Sequence, residues 1–145
     1  MGKNIDQKTL LSTDYFNTFN SVIMLFDMLP EMPELLEEVA QWQFLDYVGH
    51  FKASGLDFAQ LAIEAYEYTP TETKTLFEHK IKGMRIFVEE ASRTLHRLQE
   101  AGEMTTFAAY GRMATTLLRG MVEEGNGIIH GRSETLNQES INQMF

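Results

Sequence analysis

The sequence predicts an all-α protein, an antiparallel helical bundle of four main helices plus one short helix, followed by a flexible C-terminal tail. Three observations carry this. Apolar residues recur at helical spacing between breaks at Pro30 to Pro33, Gly55 and Thr69 to Thr71. One long segment repeats Phe77, Ile81, Met84, Val88, Ala91, Leu95 and Leu98 in alternating steps of four and three, the seam of a helix packed lengthwise on others. No stretch shows the period of two that a half-buried strand requires.

The first helix is expected to begin at Ser12 or Thr13, whose hydroxyls can cap free amides. It runs through Tyr15, Phe16, Phe19, Val22, Ile23 and Phe26, and stops at Pro30. Pro33 suits a first helical turn, and Glu34, Glu37 and Glu38 suit its positive end. A second helix is therefore expected from Pro33 to Gly55, carrying Leu35, Leu36, Val39, Trp42 and Val48. A short third covers about Leu56 to Tyr68. Thr69, Pro70 and Glu72 form a capping-box pattern that starts the fourth helix, which ends at Ala101-Gly102. The fifth carries Phe107, Tyr110, Ala114, Leu117 and Met121 and loses regularity at Gly125-Asn126-Gly127. The domain organisation follows: residues 1–130 form the bundle, and residues 131–145, polar apart from Leu136, Ile141, Met144 and Phe145, form the tail.

Composition narrows the chemistry. The 145 residues carry a formal charge of -9 and no cysteine, which excludes disulfides, thiolate nucleophiles and Cys-ligated metals. The longest run of large apolar residues, Val22 to Phe26, is far below the roughly 18 that span a bilayer, and the N-terminal segment has no apolar core of a secretory signal. A cytoplasmic protein without membrane contact is expected. Acidic charge interleaved with the cations matches a phosphate backbone poorly, so no nucleic-acid partner is expected.

The seam of the long helix places His79 and Ile86 on its outer side. Lys82 stands one turn beyond His79 on the same side, and Gly83 leaves out a side chain that would crowd the imidazole. A neutral imidazole is a nucleophile near neutral pH, and an ammonium beside it can pair with phosphoryl oxygens. Glu78 adds a carboxylate next to the ring, a like charge for an incoming phosphoryl group. His79-Lys80-Ile81-Lys82-Gly83 resembles the H-x-x-K-G motif of histidine phosphotransfer (HPt) domains, four-helix bundles that exchange phosphoryl groups with receiver aspartates. The resemblance implies that His79 is phosphorylated, that Lys82 assists it, and that Gly83 and Ile86 belong to the surface met by the partner. The same residues also read as a solvent-facing histidine with ordinary charged neighbours.

In the tail, Leu136, Gln138, Ile141, Met144 and Phe145 present an apolar stripe at helix-in-groove spacing. It resembles the receiver-docking peptide of the flagellar-switch protein and, more loosely, the terminal peptide of CheZ-type phosphatases. A last helical turn folded back on the bundle is the alternative. Glu123-Glu124-Gly125-Asn126 with Gly131 resembles the E-x-x-N segment of CheC-type receiver phosphatases, in which the acid and the amide place a water in line with an aspartyl phosphate. By that resemblance Glu123 and Asn126 are catalytic. Asn126 and His130 also resemble part of the R-N-x-x-x-H motif of HEPN ribonucleases, with Gly125 where that motif has arginine.

No metal site and no cofactor is expected. His96 with Glu100 reads as a surface pair, and four histidines without a Glu-x-x-His pair do not build a carboxylate di-iron centre. Taken together, these motifs point to a bacterial two-component or chemotaxis accessory in a phosphorelay. It would bind a response-regulator receiver domain and transfer or remove its phosphoryl group, with a homodimer compatible with the sequence. The alternative is a non-enzymatic helical adaptor or chaperone that binds a partner helix, and a further one is a degenerate HEPN-like ribonuclease.

Overall fold

Ser12 opens the helical part of the chain as expected: its Oγ accepts from the Asp14 amide at 3.2 Å, and a short 3-10 turn over Thr13–Phe16 leads into helix α1, Asn17–Met28. The computed structural model describes residues 4–131. Beyond α1 lie α2 (Leu36–Gln41), α3 (Tyr47–Ser54), α4 (Ala59–Tyr66), α5 (Thr71–Glu100) and α6 (Met104–Ile129), and no strand occurs among the described residues. The all-α class stands.

The segment expected to run as one helix from Pro33 to Gly55 is two helices. Trp42 turns to extended backbone with ψ 135°, its indole Nε1 donates to the Thr18 carbonyl at 3.0 Å, and Asp46 caps α3 by accepting from the Gly49 amide at 2.8 Å. Asp46 is a preferred N-cap residue, so the chain gains a satisfied helix start at the break. The break also moves the register: Tyr47 is buried where Val48 was expected to be.

Two further expectations shift. The capping box before α5 does not close, because the Thr69 hydroxyl is buried and makes no hydrogen bond. In α6 the buried line runs Phe107, Gly111, Ala114 and Leu118, while Leu117 is exposed. Glycine occupies seam positions that a hydrophobic pattern does not recognise. A β-carbon on Gly111 would stand 3.6 Å from the Phe26 carbonyl, an ordinary van der Waals contact, so this seam position borders the end of α1 without requiring glycine. The helix also continues through Gly125-Asn126-Gly127 to Ile129. The end of α5 is as expected: Gly102 has φ +73°, and the Glu103 amide donates to the Leu98 carbonyl at 3.0 Å, a Schellman closure.

The chain divides into two compact units. Among the described residues, the first comprises 4–16, Leu45–Ile81 and 122–131. Its core is aromatic. Tyr15 and Tyr47 stack at 5.7 Å, Phe77 stands edge-on to both, and Tyr47 stacks on Tyr66 at 4.6 Å. The buried hydroxyls are satisfied: Tyr15 donates to the Leu45 carbonyl at 2.6 Å, and Tyr47 accepts from the Ser12 amide at 2.8 Å. Burial holds the Tyr47 hydroxyl un-ionised, pushing its pKa up to about 12. The second unit comprises Asn17–Phe44 and Lys82–Met121. Its core joins Phe19, Val22 and Phe26 of α1 and Leu29 of the turn after it to Met84, Val88, Ala91 and Leu95 of α5 and Phe107, Ala114 and Leu118 of α6. The expected seam of α5 is buried from Phe77 to Leu95.

Candidate functional site

His79 lies on the solvent side of α5, because the seam residues Phe77 and Ile81 on either side of it turn inward. Each of its flanking charges is engaged. The Glu78 carboxylate accepts from the Tyr66 hydroxyl of α4, and the Lys80 ammonium pairs with Glu124 of α6 at 2.9 Å. Tyr66 is itself fixed, with its ring stacked on Tyr47 and the Lys74 ammonium 4.4 Å from its centroid. Burial first, and the Glu78 carboxylate second, raise the Tyr66 pKa well above that of a free phenol, so the hydroxyl keeps its proton and remains a donor. The Tyr66–Glu78 and Lys80–Glu124 contacts are not legible in the sequence because their partners are 12 and 44 residues apart.

Farther along α5, Lys82 is exposed and forms no ion pair among the described residues. A β-carbon on Gly83 would meet no described atom within 4 Å. This glycine therefore does not serve close packing, although it costs an exposed helix about 1 kcal/mol relative to alanine. Leu76 and Ile86, 43% and 49% exposed, leave apolar surface on the same helix.

The Glu123–Asn126 segment is built differently. Glu123 is exposed, but the Asn126 amide oxygen is buried and has no hydrogen-bond partner. It does not face solvent, where an attacking water would have to be held. Gly125 between them is a packing residue, because a β-carbon there would overlap the Phe16 ring, with Cε1 only 2.9 Å away. His130 points to the N-terminal segment, its Nδ1 lying 3.3 Å from the Asp6 carboxylate. The expected His96–Glu100 pair is replaced by a 2.7 Å contact between His96 Nδ1 and the Ser92 carbonyl.

A second histidine pair was not legible in the sequence. His50 Nε2 lies 3.2 Å from Asp14, with the ring packed edge-on against Tyr15 and Phe51. No group of three or more His, Asp or Glu able to hold a metal occurs among the described residues. None of the described helices is long and apolar enough to cross a membrane. Leu136, Gln138, Ile141, Met144 and Phe145, expected from the sequence to dock a receiver, lie outside the described residues. Comparison of the chain with protein-family models, with curated proteins and with solved structures finds no match.

Proposed function

We propose that this protein is a partner of response-regulator receivers in which His79 accepts the phosphoryl group of a receiver aspartyl phosphate. The observation that carries this reading is the outward position of His79 on α5, with Glu78 tied to Tyr66 and Lys82 uncommitted one turn along the helix. In the reaction an imidazole nitrogen forms a bond to phosphorus as the bond from phosphorus to the aspartate oxygen breaks. The ring proton passes to water, and the Lys82 ammonium pairs with the phosphoryl oxygens. Exposed Leu76 and Ile86 offer the receiver apolar contact on either side.

Of the two routes, transfer and removal, the geometry favours transfer. A phosphatase water at Glu123 and Asn126 would need the Asn126 amide oxygen at the surface, and that oxygen is buried. The experiment is incubation with a receiver carrying labelled aspartyl phosphate. Label should move to this protein as an acid-labile, base-stable species and disappear in His79→Gln with helicity unchanged. Loss of receiver label to inorganic phosphate alone, or labelling that survives His79→Gln, removes His79 from the role.

A further inference from the structure

We infer that the outer face of α1 and the turn after it form a docking surface for a basic amphipathic helix. Met24, Met28 and Met32 follow one another at intervals of four and are 61%, 40% and 39% exposed. The Met32 amide donates to the Met28 carbonyl at 2.9 Å, so the helical path continues past the end of α1 and keeps the three side chains in one stripe. Methionine is unbranched and polarisable, and a stripe of it can adapt to apolar side chains of varied shape.

Charge identifies the occupant. From Asn17 to Phe44 the chain contains no Lys, Arg or His but five carboxylates, Asp27, Glu31, Glu34, Glu37 and Glu38. All five are exposed, and only Asp27 is answered by a cation among the described residues, Arg119 at 3.7 Å. Glu31 lies between Met28 and Met32, and the other three lie on α2 and the turn leading into it, which pack against α1. A second copy of this chain, an acidic peptide or an anionic lipid surface would bring like charge onto these carboxylates. A helix with leucine-type residues on one face and lysine or arginine on its flanks would cover the methionines and pair with the glutamates. This assignment does not depend on phosphotransfer.

The test uses the full chain with its methionine methyl groups labelled for NMR. The probe is a synthetic amphipathic helix of about 18 residues, roughly 27 Å long, made of leucine and lysine with the leucines on one face. The methyl signals of Met24, Met28 and Met32 should shift on titration, and that of buried Met84 should not. The triple variant Met24→Gln, Met28→Gln, Met32→Gln should bind at least about tenfold more weakly, a loss of about 1.4 kcal/mol. The corresponding Met→Leu triple should retain binding, as should Leu61→Gln with Tyr68→Gln in the other unit. A peptide with glutamate in place of lysine should not bind. Shifts confined to other methionines, equal binding of the acidic peptide, or an affinity indifferent to the Gln triple would overturn the assignment. So would concentration-dependent self-association that shifts the same three methyls without peptide.

Discussion

The ring of Phe16 occupies the volume in which a side chain at position 125 would stand. Glycine there is required by packing within the first unit. Gly125→Ala should lower stability by about 1–3 kcal/mol, because neither an aromatic ring in a packed core nor a helix backbone yields a methyl's worth of space cheaply. A denaturant melt checks this; an unchanged midpoint would mean that Phe16 has another rotamer available.

Gly83 gives the opposite result. With nothing described within 4 Å of its β-carbon position, Gly83→Ala should stabilise α5 by about 0.5–1 kcal/mol through helix propensity alone. It should at the same time slow phosphoryl transfer to His79, one turn back on the same side. A variant that is both more stable and equally fast would show that the glycine has no part in access to the imidazole.

Asp46 marks where the chain leaves the expected second helix. Its side chain accepts from the Gly49 amide, so Asp46→Ala should cost about 1 kcal/mol, whereas Asp46→Asn or Asp46→Ser should be nearly neutral. Equal losses from all three would assign the effect to charge rather than to the cap.

How much was legible follows from range. The seam of α5 is periodic over seven apolar residues, and each of Phe77, Ile81, Met84, Val88, Ala91 and Leu95 is buried. The exposure of His79 came with it, since fixing the inner face fixes the outer one. The break at Trp42 to Asp46 was hidden because apolar spacing continues across it, and what decides the matter is an indole bond to Thr18, 24 residues back. Gly125 reads as a loss of helical regularity because a hydrophobic pattern treats glycine as a gap, whereas here the Phe16 ring fills the place of the missing side chain. Tyr66 was invisible for the same reason of range.

The Asp6 carboxyl predicts an acid effect. Burial opposes its ionisation, but the amides of Lys8 and Thr9 donate to it at 2.8 and 3.1 Å and His130 stands beside it, so its pKa falls below the ordinary 3.8. A depressed carboxylate stabilises the fold above its unfolded pKa, and the contribution disappears as pH falls through the folded one. Asp6→Asn should therefore be less stable than the parent at neutral pH and converge with it as the pH falls below 3.8 and through the folded pKa. Parallel stability curves across that range would assign the difference to something other than titration.

Tyr66 offers the most direct test of the arrangement around His79. Its hydroxyl engages the Glu78 carboxylate, which otherwise stands as a mobile negative charge beside the imidazole. One unit charge at about 6 Å in water amounts to roughly 0.7 kcal/mol, so Tyr66→Phe should slow phosphorylation of His79 by about threefold. Adding Glu78→Gln to that variant should restore the rate, because removing the charge makes its anchor unnecessary. Reaction with a neutral imidazole reagent such as diethyl pyrocarbonate should be unchanged in all three proteins, which separates repulsion of an anion from altered access. If Tyr66→Phe slows both reagents alike, or if Glu78→Gln fails to rescue it, the tyrosine acts only by holding α4 on α5. If the parent transfers at the same rate as Tyr66→Phe, Glu78 does not reach the reacting phosphoryl group in either protein.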